Sequence, residues 1–152
     1  MKKLAEKILT RVTTEEEDQV SRIILGYLNQ FPDKPVDLIG FEYLKDDEPS
    51  MAMSLIQGTY KTRSYITGGY EAQSQFKIIY RLQAMNNNAR LGADELLNSL
   101  ADWAVSNTSL IELGGNRAFR SLESNTRSAL FGRYENGDED HQILMTLTYE
   151  VI

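Results

Sequence analysis

Gly68-Gly69-Tyr70, then Phe76-Lys77-Ile78-Ile79-Tyr80-Arg81, then Arg90-Leu91-Gly92-Ala93-Asp94-Glu95-Leu96-Leu97 and Asp102-Trp103 form the stretch whose reading decides this fold. In an extended chain Phe76, Ile78, Tyr80 and Leu82 share one face, and Lys77, Ile79, Arg81 and Gln83 the other. Residues 74–84 are therefore the strongest strand, and the glycine pair before them is a turn. Past a polar loop the apolar period changes from two to 3.6. Ala93, Leu96, Leu97, Leu100, Trp103 and Ala104 line one stripe of a helix spanning about 88–106, with Asn87 or Asn88 as its cap.

Working outward from this centre, Met51, Met53 and Leu55 alternate with small polar residues, and Tyr60, Thr62, Ser64 and Ile66 alternate with Lys61, Arg63 and Tyr65. Gly58 and Gly68-Gly69 are expected to be the turns separating these strands. A weaker strand is expected at 37–44, followed by the charged loop Lys45-Asp46-Asp47-Glu48-Pro49. On the N-terminal side Leu4, Ile8 and Val12 predict a short first helix. Val20, Ile23, Ile24, Tyr27, Leu28 and Phe31 predict a second one that ends near Phe31-Pro32. Thr13 with Glu16, or Thr14 with Glu17, matches a capping box, and the acidic first turn suits the positive end of the helix dipole. Beyond the central helix, Gly114-Gly115 closes a loop. Strands then follow at 117–122, 127–134 and 141–151, with Asn136-Gly137 in the last turn. The expected class is α+β: an antiparallel or mixed sheet flanked by helices, in the order α-α-β-β-β-α-β-β-β, as one domain over 1–152.

Composition narrows the function classes. The chain has no cysteine, which removes disulfides, thiolate metal sites and cysteine nucleophiles together. A net charge of −6 argues against direct nucleic-acid binding, whose phosphates demand a basic face. No apolar run approaches the ~20 residues of a membrane span. The basic start Met1-Lys2-Lys3 leads into an amphipathic stretch, not the apolar core of a secretory signal.

Candidate chemistry is sparse. The only histidine, His141, lies beside Asp138-Glu139-Asp140, but a metal site needs three or four convergent ligands; a solvated hairpin turn is the expected reading. The acidic runs 15–18 and 46–48 read as a helix start and a loop, and neither glycine pair has phosphate-loop spacing. Neither a catalytic residue nor a cofactor or metal is expected. Tyr60, Arg63, Tyr65, Tyr70, Lys77 and Arg81 interleave basic and aromatic side chains, which on a sheet face could stack single-stranded nucleic acid. The negative net charge favours instead a face covered by a neighbouring subunit, and Ile79 and Leu144 on otherwise polar faces point the same way. A non-enzymatic binding module using that face for nucleic acid or a protein partner is the alternative.

An ordered series of residues carries a resemblance. It runs from Phe41-Glu42-Tyr43-Leu44-Lys45-Asp46-Asp47-Glu48-Pro49-Ser50-Met51-Ala52-Met53 through Gln57-Gly58, Lys61-Thr62, Ile66-Thr67-Gly68-Gly69-Tyr70, Phe76 and Tyr80-Arg81. It continues in Arg90-Leu91, Ala93-Asp94-Glu95-Leu96-Leu97-Asn98 and Leu100-Ala101-Asp102-Trp103. It closes with Thr126-Arg127-Ser128-Ala129-Leu130-Phe131-Gly132-Arg133-Tyr134-Glu135-Asn136-Gly137 and Leu147-Thr148-Tyr149-Glu150-Val151. This series resembles the tail terminator, or "minor capsid", proteins of long-tailed phages and prophages of Gram-positive bacteria. The resemblance implies a virion structural protein, assembled in the bacterial cytoplasm, at the head-proximal end of the tail. It implies a hexameric ring of identical subunits, with the major tail tube protein and the head-completion or connector proteins as partners. The face bearing Lys61, Arg63, Lys77 and Arg81, and the loops carrying Asp46, Asp47, Glu48, Asn136 and Asp138, are the candidates for intersubunit or tube contacts. Joint charge reversal at Arg63 and Arg81 is expected to weaken association.

Overall fold

A computed structural model describes residues 10–152. The elements, in chain order, are β1 (Thr10–Arg11), α1 (Thr14–Leu28), β2 (Gly40–Phe41), β3 (Ser50–Ser64), β4 (Tyr70–Leu82), α2 (Asn87–Ser106), β5 (Arg117–Ser124), β6 (Ala129–Arg133) and β7 (Glu139–Val151). The strands form one seven-stranded sheet with the path β1-β3-β4-β7-β5. β2 also pairs with β3, and β6 with β7. Every pairing is antiparallel except β2 on β3. The α+β class holds. The order differs at its start, where Thr10–Arg11 pair with Lys61 and Tyr60 as a strand. Leu4 and Ile8 of the expected first helix lie outside the described residues. Val12 is buried beyond the end of β1, and its N–H donates to the Thr59 carbonyl at 3.1 Å.

Directly opposed residues of paired strands share a face. Met51, Met53 and Leu55 oppose Tyr80, Ile78 and Phe76, which in turn oppose His141, Ile143 and Met145. The two helices cover this face. Val20, Ile24, Tyr27 and Leu28 of α1 and Ala93, Leu97, Leu100, Ala101 and Ala104 of α2 join the sheet residues in one buried cluster. Trp103 stacks on Tyr27 with ring centroids 5.0 Å apart, and the Tyr27 hydroxyl donates to the Ala104 carbonyl at 2.6 Å. Such a pair contributes about 0.5–1.5 kcal/mol beyond its buried area. The stripe that predicted α2 is thus the stripe that packs.

Helix ends are set by side chains. Thr13 Oγ1 accepts from the Glu16 N–H at 3.2 Å, and Asn86, one residue before the expected caps, accepts from the Ala89 N–H at 2.9 Å. α1 stops at Leu28, earlier than expected. Asn29 Nδ2 takes the Leu25 carbonyl at 3.0 Å, and the same amide bonds both the N–H and the carbonyl of Ile39. Only Gly40–Phe41 of the expected 37–44 strand pair with a neighbour.

Gly58 does not separate two strands. β3 runs through it as a bulge, with Gln57 and Gly58 at φ of 63° and 86° and the register slipping between Leu55 and Thr59. Two extra residues on β3 bend and twist the chain without ending the pairing. The slip, being of two residues, leaves Thr59 and Lys61 on the face of Met51, Met53 and Leu55; a second slip, of one residue between Lys61 and Arg63, moves Arg63 to the other face.

The acidic first turn of α1 serves the sheet as well as the helix dipole. Glu16 accepts from the hydroxyls of Tyr149, at 2.5 Å, and Tyr70, while Glu17 Oε2 accepts from the Thr59 N–H at 2.6 Å. Burial, then the Glu16 contact, pushes the Tyr70 hydroxyl up to about 12 and raises Tyr149 as well; burial alone pushes Tyr27 up to about 12. For a phenol whose pKa is raised by folding, the stabilisation is complete below the unfolded value near 10 and disappears as pH climbs through the folded value. The denaturation midpoint is therefore expected to be flat from pH 8 to 9 and to fall steeply between about pH 10 and 12. Denaturant titrations at each pH check this, and the Tyr70→Phe variant is expected to flatten the fall.

Candidate interaction site

The strand register builds the site. Ser50 opposes Arg81, Arg81 opposes Asp140, and Asp140 opposes Gly132, so β3, β4, β7 and β6 end level with one another. This alignment brings the loop before β3 and the turn before β7 together, although they are 91 residues apart in sequence at Asp47 and Asp138. Arg81 is the bolt. Its Nε and Nη2 donate to the two oxygens of Asp140 at 2.7 and 2.9 Å, and its Nη1 donates to Asp46 Oδ1 at 3.1 Å. The guanidinium lies 4.8 Å from the centre of the Tyr134 ring, and the Tyr134 hydroxyl donates to Asp140 Oδ2 at 2.8 Å. Side-chain exposure is 15% for Arg81 and 2% for Asp140, against 75% for Asp46. The bond to Asp140 raises the pKa values of both Arg81 and Tyr134.

A second layer joins the loops. The Asp47 N–H donates to Asp138 Oδ2 at 3.2 Å, and Asn136 Nδ2 donates to Asp47 Oδ1 at 3.0 Å and to Asp138 Oδ2 at 2.9 Å. Gln83 Nε2 donates to the Asn136 carbonyl at 3.1 Å. The Asn136 bond, against the opposing effect of burial, holds the Asp138 carboxyl below its usual range. Asn136-Gly137 forms the expected turn: the Gly137 N–H donates to the Tyr134 carbonyl, and Gly137 sits at φ of 97°. Asp46, Asp47, Asn136 and Asp138 thus converge with Arg81. Glu48 is on the exposed rim, paired with Lys45 at 3.5 Å.

Of the four expected cations, Arg63, Lys77 and Arg81 share the face away from the helices, and Lys61 does not. Lys61, in phase with Met51, Met53 and Leu55, opposes buried Ala72 on the helix side, with its Nζ 4.3 Å from the centre of the Tyr70 ring. Arg63, after a further slip, opposes Glu71 at the far end of the sheet. Lys77 is on the face away from the helices, 5.7 Å from the centre of the Phe131 ring. Arg81 is consumed by Asp140 and Asp46. The aromatic residues are engaged too: Arg11 lies 5.4 Å from the centre of the Tyr60 ring, and the Tyr65 hydroxyl donates to Glu150 at 2.6 Å. Ile79 is 8% exposed within the single chain, so its apolar side chain needs no partner to bury it.

The reading of His141 as a polar strand residue beside a solvated turn is also corrected. Strict alternation extends back through β7, placing Glu139 and His141 on the helix side, and His141 is 0% exposed. Its Nδ1 is 2.9 Å from Asp94 Oδ1, and the Ser128 hydroxyl donates to the same oxygen at 2.8 Å. Arg90 Nε reaches both oxygens of Glu139, at 3.0 and 2.8 Å, and holds that carboxyl below its usual range. These groups tie α2 to β7 and to the segment before β6. No group of three or more His, Asp or Glu side chains is arranged to hold a metal ion among the described residues. Asp140, Tyr134, Glu139 and Arg90 were missed as structural partners. The available signal was alternation continuing unbroken through 139–151, which marks those acids as strand residues and not as turn residues.

What the loop pair presents chemically is a fixed acidic rim, with Asp46 and Glu48 exposed above a buried ionic base. No protein-family model matches the chain, and no curated protein matches it. Among the described residues no helix is long and apolar enough to cross a membrane.

Proposed function

We propose that this chain is a structural subunit of a phage tail that caps the tail tube, ends its elongation and forms the tail side of the head–tail joint, assembled as a ring. The ordered sequence resemblance carries the reading. Two of its longest segments, 41–53 and 126–137, contain the two loops that meet in the ionic site at the end of the sheet. The mechanism is occlusion: a subunit that docks on the last tube ring, and offers no further tube-like surface, stops addition. A rim held by Arg81 and Asn136 is rigid before docking, which lowers the ordering cost of association.

The nucleic-acid form of the binding-module alternative has less support, because stacking needs open ring faces and the cations beside Tyr60, Tyr70 and Tyr134 lie over those rings. Electron microscopy of particles from the parent prophage with this gene interrupted tests the proposal. Overlong, headless tails are expected; normal-length tails on intact virions refute it. For the contacts, Arg63→Glu and Glu48→Lys replace the original pairing of Arg63 with Arg81. Both leave the Arg81–Asp140 bolt intact, and each is expected to weaken association by roughly tenfold with a flattened salt dependence. Unchanged assembly of each single variant would remove these residues from the interface.

A further inference from the structure

The sheet's two edges differ. Along β3 the outer edge between Ala52 and Lys61 is covered: β1 and β2 pair with it, and Leu55 and Thr59 donate their N–H groups to the carboxylates of Glu42, at 3.4 Å, and Glu17. Along β5 it is bare. The main chain of 118–123 bonds β7 alone among the described residues, and Arg120 and Glu123 are exposed. A bare edge is a template for another strand. Because the other edge is covered, pairing between copies cannot propagate from edge to edge; it closes at two.

We infer that the β5 edge docks the β5 edge of a second copy, antiparallel, about a two-fold axis between Arg120 and Ser121. The register follows from the bulge. β5 slips between Phe119 and Ser121, so Phe119 and Leu122, three residues apart, both face the helix side, opposite Tyr149 and Leu147. Ala118, Ser121 and Glu123 face the other way, opposite Glu150, Thr148 and Thr146. Pairing about the proposed axis sets Phe119 against Leu122 of the second copy and Ala118 against its Glu123. Every opposed pair keeps its face. Arg120, which within the chain pairs with Glu150 at 3.6 Å and stays exposed, then lies diagonally beside Glu123 of the second copy, within reach of its long side chain, twice over. Glu123 has no ion-pair partner of its own among the described residues, so the second copy's arginine complements it. The inference goes beyond the tail reading and does not depend on it.

The absence of native cysteine makes the test clean. Ala118→Cys and Glu123→Cys proteins are treated with a short bifunctional maleimide, separately and mixed. The proposed register places cysteines at 118 and 123 directly opposite, whereas two copies of position 118 stand about 17 Å apart along the strands. Cross-linked dimer is expected in the mixture and not in either protein alone. Light scattering of the wild-type chain is expected to rise with concentration towards twice 17.3 kDa. Glu123→Lys, which loses no contact within the chain, is expected to weaken the dimer about fivefold or more. A mass fixed at 17.3 kDa up to about 1 mM, or cross-linking as efficient in the separate proteins as in the mixture, overturns the inference.

Discussion

Arg81→Met is expected to destabilise the protein by about 3–5 kcal/mol, because it strands a buried carboxylate. Asp140 is 2% exposed and takes both of its charged bonds from Arg81. Without them only the Tyr134 hydroxyl bonds Asp140, and Asp46 loses its tie to the sheet. The attraction within such a pair need not exceed the cost of desolvating it, so an apolar replacement of both partners is a different experiment. Arg81→Met combined with Asp140→Leu is expected to recover much of the loss. Denaturant unfolding followed by the fluorescence of Trp103, the only tryptophan, measures both variants. For a chain of this length the single variant should lower Tm by roughly 10–15 °C. A loss below about 1 kcal/mol, the usual worth of an exposed pair, would show the site to be solvated.

Glu16→Ala is expected to cost about 3 kcal/mol through three linked losses. The Tyr149 side chain is fully buried, and its hydroxyl would have no acceptor. Leaving a buried donor unpaired costs about 1–3 kcal/mol, and a bond to a charged acceptor is itself worth about 1.5–3. Tyr70 would lose the same acceptor, and the first turn of α1 would lose one acidic residue at the positive end of the helix dipole. The Thr13 cap would survive, since it uses the Glu16 N–H and not its side chain. Glu16→Gln keeps an acceptor and is expected to cost about 1 kcal/mol. Urea titration of the two variants separates them. Equal losses for Ala and Gln would assign the effect to charge alone.

These two clusters also show what could be read from sequence and what could not. The core was legible. Apolar alternation in 74–84 and 141–151, and the stripe from Ala93 to Ala104, follow from local geometry that any strand or helix imposes, and the buried residues match them. The candidate site was half legible. Asp46, Asp47, Asn136 and Asp138 stood out as loop charges and amides, but nothing local shows that loops so far apart meet. Arg81 stood out as an exposed cation, which is correct for its face of the strand and wrong for its partner.

The sequence by itself determined the α+β class, the central strand and helix, the turn at Asn136-Gly137 and the absence of thiol chemistry. Each depends on residues within a few positions of one another, where backbone sterics and periodicity act directly. Only the tertiary structure decided that Gly58 is a bulge, that Lys61 and Arg63 lie on opposite faces, that His141 is buried, and that Arg81 bonds Asp140 within the chain. Those outcomes depend on register. A slip of one residue exchanges the faces of a strand, and register is set by pairing with segments tens of residues away.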